Sequence, residues 1–141
     1  MGDTGLLVSM AFDEKGKNTT DIYRKIILGK LEINEGMIME NAVAQMLRAA
    51  GHKLYFYSRK DNLDSRNTME IDFLLAKITV SNRHNIIPVE VKSGQRYSYT
   101  SLEKLRTKYE KYLSTPVLLH DKDVKEERGI LFLPLYMAGL L

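Results

Sequence analysis

Apolar residues recur with a helical period from residue 34 or 35 to residue 50, at Met39, Val43, Met46, Leu47 and Ala50. Such spacing lines one face of an α-helix. Gly51 follows at the place where a helix commonly stops on a left-handed residue. Beyond it the period changes from 3.6 to 2. Residues 53–58 alternate and are rich in aromatics, and 68–77 and 85–92 carry apolar residues at alternate positions. Three strands are therefore predicted. Polar residues 60–67 read as a turn, and 93–99, with Gly94, as a loop. The helical period returns over 102–113, with Leu102, Leu105, Tyr109 and Tyr112 on one side. Residues 116–120 predict a fourth strand and 129–133 a short fifth. Pro134 suits the first position of a closing helix through Leu141. Upstream, 13–18 with Gly16 reads as a loop. Thr19 or Thr20 can cap a short helix to about Lys30, with Ile22, Ile26 and Ile27 inward.

The predicted order is helices, three strands, a helix, two strands and a terminal helix. A strand–helix–strand crossover requires at least one parallel pair, so the expectation is α/β, a mixed β-sheet flanked by helices. The 141 residues fit one domain, with 1–33 as a helical lead-in and 34–141 as the core. Hydrophobic residues make up 44% and charged residues 28%, which excludes a disordered chain. With no cysteine, a disulfide framework and a thiolate metal site are both excluded. No stretch is long and apolar enough to span a bilayer, and no signal-peptide pattern opens the chain; the reading is a cytoplasmic protein without a membrane partner. The net charge of +3 permits nucleic-acid binding without requiring it. Arg96, Lys104, Arg106, Lys108 and Lys111 cluster against two glutamates, a run that reads first as a solvated helix face.

Four residues stand out chemically. Glu90 and Lys92 lie two apart on one predicted strand, and Asp72 lies with Glu70 on the preceding one. Residues two apart on a strand share a face. Glu90 and Lys92 therefore project together, opposite Ile87, Val89 and Val91. Glu70 and Asp72 project together, opposite Ile71, Phe73 and Leu75. If the strands are neighbours, three carboxylates and one ammonium gather at one place, which is costly without a compensating cation. Glu40 stands three and seven residues before Val43 and Leu47, so it continues the apolar line of the strong helix and is expected to face inward. The chemistry that uses such a set is metal-assisted phosphodiester hydrolysis. Mg²⁺ or Mn²⁺ takes oxygen ligands, here Glu40, Asp72 and Glu90, and the lysine orients water or stabilises charge on the phosphate. Each pair alone is a weak signal; the combination on successive strands after a helix with an inward glutamate is stronger.

Glu40, Asp72 and Glu90-Val91-Lys92 together resemble the PD-(D/E)XK superfamily, particularly its Holliday-junction-resolvase-like branch. The wider chain resembles the C-terminal domain of unknown function attached to bacterial and archaeal AAA-type ATPases. That likeness rests on Asp3-Thr4-Gly5-Leu6-Leu7, Met39-Glu40-Asn41, Tyr55-Phe56-Tyr57, Glu70-Ile71-Asp72-Phe73, Ile87–Gly94 and Leu133-Pro134-Leu135-Tyr136. It implies a restriction-endonuclease-like fold, catalysis by Glu40, Asp72, Glu90 and Lys92, DNA as partner, and an ATPase domain upstream. The chain would then be the C-terminal fragment of a larger protein. It has no GxxxxGK loop, so it is not itself the ATPase. Ile71 stands where the eponymous motif has proline. The alternative is a non-catalytic accessory or protein-interaction module with a vestigial site.

Ser93, Gln95, Arg96 and Tyr97 follow the lysine motif as candidate nucleic-acid contacts. Tyr55, Phe56, Tyr57, Tyr97 and Tyr99 can stack on bases, although packing is the commoner role and is preferred for Phe56. His52, His84 and His120 lack metal-ligand spacing and read as surface or structural residues.

Overall fold

The computed structural model describes residues 35–61, 67–76, 86–94 and 97–141. The helix expected up to about Lys30, the loop before it, His84, Gln95 and Arg96 lie outside the described residues.

The strongest periodic segment is helix α1, Glu35–Ala49. It stops as predicted. Gly51 takes φ 93°, the Gly51 N–H bonds the Arg48 carbonyl, and the His52 N–H bonds the Leu47 carbonyl, each at 3.0 Å. This is a Schellman termination, and only glycine adopts that φ without strain. Val43 and Leu47 are buried, whereas Met37 and Met39 are exposed. The first turns of α1 thus run past the packed part of the core.

Strands β1 (Tyr55–Arg59), β2 (Met69–Ala76) and β3 (Ile86–Val91) precede helix α2 (Thr100–Tyr109), and β4 (Val117–His120), β5 (Lys125–Glu127) and β6 (Ile130–Pro134) follow it. They form one mixed sheet in the order β1-β2-β3-β4-β6-β5. The β3–β4 and β4–β6 pairs are parallel and the others antiparallel. The β3–α2–β4 crossover supplies the parallel pair expected from the element order.

Two apolar clusters cover the sheet. On one side, Val43 and Leu47 of α1 meet Leu75, Val89, Val91, Leu119 and Leu133. On the other, Leu102 and Leu105 of α2 meet Ile71, Leu118, Ile130 and Phe132. Leu118 and Leu119 thus serve opposite faces, which is why β4 is apolar at successive positions. Pro88 sits in a central strand without breaking it. The Lys92 N–H bonds the Leu119 carbonyl, so even-numbered residues of β3 turn their N–H toward β4. The β3–β4 ladder begins only at Val89↔Val117, and the N–H that Pro88 lacks would fall outside it.

Three sequence expectations are corrected. Ile71 does not share the cluster of Leu75; it packs on the α2 side. The register explains this. Tyr57 pairs with Ile71 but Tyr55 with Leu74, so β2 carries one extra residue in that interval. A β-bulge shifts the alternation at this point. Next, β5 was not expected. It is three exposed charged residues, joined to β6 through Arg128 (φ 52°) and Gly129 (φ 71°). Two positive φ values make a primed two-residue turn, and a short charged strand suits a sheet edge. Finally, Pro134 ends β6, paired with His120, and Leu135–Leu140 forms a 3₁₀ helix instead of starting at Pro134. No helix among the described residues is long and apolar enough to cross a membrane.

Candidate functional site

The bulge in β2 builds the site. The β2–β3 ladder runs from Ala76↔Ile86 to Phe73↔Val89 and stops there. Odd-numbered residues of β3 turn their N–H toward β2, and the next in line is Val91. Its N–H meets no β2 carbonyl; it donates to Asp72 Oδ2 at 2.7 Å. The Asp72 carboxylate therefore takes the place of a backbone acceptor where the ladder ends. On β3, Val89 and Val91 pack toward α1, so Glu90 projects to the α2 side, as does Leu118, its register partner. Glu90 is only 4% exposed. Lys92 Nζ lies 2.6 Å from Glu90 Oε1. Glu90 Oε2 is buried and has no hydrogen-bond partner.

The charges perturb one another. Burial raises the pKa of the Glu90 carboxyl, the Lys92 ammonium opposes the rise, and Asp72 adds to it. Burial also raises Asp72, against the lowering effects of the Val91 N–H and Lys92. Burial would lower the Lys92 pKa, but the ion pair with Glu90, with Asp72 and Glu40 behind it, raises it overall. Glu40 is an exposed residue, yet partial burial of its carboxyl and the field of Asp72 raise its pKa too, opposed by Lys92.

A pH dependence follows. A carboxyl whose folded pKa is raised holds its proton more tightly when folded, so its cost to stability is present above the folded pKa and disappears as pH falls through it. Lys92 stays charged throughout the acid range, because its contribution is lost only when pH rises through its folded pKa. Relative to a Glu90→Gln variant, the metal-free wild type should gain thermal stability as pH falls from neutrality toward the ordinary carboxylate range. Unfolding midpoints of both chains across that range check this. A wild type that loses ground to the variant on acidification would contradict the burial of Glu90.

Asp72, Glu90 and Lys92, expected to converge, are brought together by adjacent strands. Glu40 is placed differently from its expectation: it is exposed, not inward, because α1 overhangs the core before Val43. It remains within the field of Asp72 and Lys92. Among the described residues no group of three or more His, Cys, Asp or Glu side chains is close enough together to hold a metal ion. Ser93 is half-buried just after β3. Tyr97 shares a 3.0 Å hydrogen bond with His120 Nδ1. Gln95 and Arg96 lie outside the described residues.

His120 is fully buried, as its structural reading allowed. Continuing the β3–β4 register by one step from Val91↔Leu119 sets it beside Lys92, a neighbour that periodicity did not single out. Its Nε2 has no hydrogen-bond partner, and burial lowers its pKa. The signal available in sequence was its place at the end of an apolar run, Val117-Leu118-Leu119. Phe56, for which packing was preferred, is 79% exposed. Among the described residues β1 pairs only with β2, and the α2-side cluster takes Tyr57 instead.

Fold and site together define an α/β domain with a mixed sheet and an acid–acid–lysine cluster where two of its strands stop pairing. Residues 35–137 match the model of a family described as a domain of unknown function, DUF4143, and the chain belongs to that family. No curated protein and no solved structure matches the chain.

Proposed function

We propose that this is a restriction-endonuclease-like, PD-(D/E)XK-type domain that hydrolyses phosphodiester bonds of DNA with a divalent metal ion, as the C-terminal unit of an AAA-type ATPase. The observation that carries this reading is Glu90: a carboxylate 4% exposed, with one oxygen on Lys92 and the other unpartnered. A buried charge with an unmet acceptor is costly unless something binds it. Hard oxygen donors suit Mg²⁺ or Mn²⁺; Glu90 through Oε2 and Asp72 would hold the ion, and Glu40, exposed on α1, would have to be drawn in to join them. Bound there, the ion supplies a more acidic water and neutralises phosphate charge. The protein's own groups do the rest. The Val91 N–H fixes the Asp72 carboxylate. Glu90 holds the Lys92 ammonium in place, where it can orient the attacking water and meet negative charge developing on the phosphate oxygens. The DUF4143 match supports reading the chain as part of a larger protein with an upstream ATPase domain as partner.

A second reading, a non-catalytic accessory module, is favoured by one observation: among the described residues the carboxylates do not stand as a three-ligand group. Glu90–Lys92 would then be a structural ion pair. Thermal unfolding with and without Mg²⁺ tests the metal step of the first reading. An ion that binds only the folded chain stabilises it, by about 2.7 kcal/mol at a hundred times its Kd. Asp72→Asn keeps an acceptor for the Val91 N–H but removes the charge, and should abolish most of the shift. Equal Mg²⁺ stabilisation of wild type and variant would sink the metal site.

A further inference from the structure

Arg59, at the end of β1, and Lys104 and Lys108, one helical turn apart on α2, line a groove of about 550 Å³ beside the start of β2. Asn67 and Thr100 add an amide and a hydroxyl to its wall. The carboxylate in its lining, Glu103, is drawn toward Arg128 of the β5–β6 hairpin, at 3.5 Å. Among the described residues no ion pair joins a carboxylate to Arg59, Lys104 or Lys108. Lys104 Nζ makes only a long contact, 3.4 Å, with the Thr68 carbonyl. Lys108 Nζ stands 5.2 Å above the Tyr109 ring. Arg59 and Lys108 both act on the Tyr109 hydroxyl, which lies 3.3 Å from that of Tyr57. Asn67 donates to Asp61 at 3.0 Å; among the described residues the three cations line one groove from two elements without an ion pair, an arrangement that repels itself and favours a polyanion.

The groove lies on the α2 side, the side to which Glu90 projects. Met69 in its lining and Asp72 stand on the same strand, β2. We propose that this groove holds the phosphate backbone of a nucleic-acid strand whose neighbouring bond is presented to Asp72, Glu90 and Lys92. The placement of that bond rests on the hydrolytic reading above; the groove's affinity for phosphate does not.

The test is fluorescence anisotropy of the full chain with labelled single-stranded and duplex DNA in EDTA, where no metal-dependent cleavage occurs. Binding should weaken with salt. In Arg59→Gln/Lys104→Gln/Lys108→Gln the affinity should fall about tenfold or more, and the log–log salt slope should flatten by roughly 2–3. Arg48→Gln/Lys53→Gln/Lys125→Gln removes the same charge elsewhere and should cost far less. Arg59→Lys/Lys104→Arg/Lys108→Arg keeps the charge, separates it from folding, and should bind like the wild type. The groove proposal is overturned by no binding in the wild type, by equal losses in the two glutamine triples, by loss in the charge-preserving triple, or by a glutamate-rich peptide competing as well as DNA. Cleavage left intact in the groove triple also overturns it and leaves the hydrolytic reading standing. Groove-dependent binding without any metal-dependent cleavage supports the groove and sinks the hydrolytic reading.

Discussion

In the proposed hydrolytic site, replacing Lys92 by alanine is expected to lower metal-dependent DNA cleavage by about 10²–10⁴-fold, with DNA affinity reduced by about one phosphate contact. The asymmetry comes from where the ammonium sits. At 2.6 Å from Glu90 Oε1 it competes with any cation for that carboxylate, so its removal leaves metal binding intact or tighter. On the hydrolytic reading what would be lost is a charge beside the phosphate, and such a group acts more strongly on the transition state than on the ground state. Glu90 would be left buried with neither oxygen paired. Protonation relieves that cost, so the variant should be least stable, relative to wild type, at high pH. In an accessory module the same substitution would break an ion pair and do little else. The measurement is cleavage of branched, single-stranded and duplex DNA with Mg²⁺ or Mn²⁺, wild type against Lys92→Ala, with unfolding curves for both. A wild type inactive on every substrate would leave only the accessory reading.

The parts of this site that were legible in the sequence are those governed by period. Glu90 and Lys92 are two apart on a strand bounded by valines, and they form an ion pair. Gly51 ends α1 because its φ suits glycine. What failed was governed by pairing. The bulge that separates Ile71 from Leu75 has no glycine or proline to announce it; it exists because β1 and β2 count differently between Tyr55 and Tyr57. That bulge also explains how Asp72 comes to bond the Val91 N–H, a contact no alternation pattern predicts. Glu40 was misplaced for a related reason. Helical period says which residues share a stripe, but not how far along the stripe the core extends. Here the buried stretch begins at Val43. The sequence Lys125-Glu126-Glu127 gives no strand signal at all, since a fully exposed edge has no apolar face to alternate. His120 shows the opposite case: a polar residue at the end of an apolar run was buried with the run.

Phe132→Ala is expected to cost about 3–5 kcal/mol of folding stability. Phe132 is fully buried on β6, within the cluster that α2 closes through Leu102 and Leu105. Tyr99 meets it edge-on at 5.6 Å between centroids, His120 at 5.7 Å, and Lys125 Nζ lies 4.3 Å from its ring. Truncation removes all these contacts and leaves a cavity that the flanking strands cannot collapse, since β6 is held between β4 and β5. Against a total of about 5–15 kcal/mol for an ordinary domain, the variant would be close to unfolding. Phe132→Leu keeps most of the volume and should cost about 1–1.5 kcal/mol more than nothing, well short of the alanine loss. The cluster also includes Leu118, the register partner of Glu90. Water admitted beside it would weaken the burial that raises the Glu90 pKa, so a folded Phe132→Ala chain should show a flatter difference from its own Glu90→Gln derivative as pH falls. Urea unfolding of wild type, Phe132→Ala and Phe132→Leu, with pH series comparing wild type and Phe132→Ala each with its Glu90→Gln derivative, measures both effects. A loss below about 1 kcal/mol for Phe132→Ala would show that the α2 side of the sheet is not the packed core that holds Glu90 out of water.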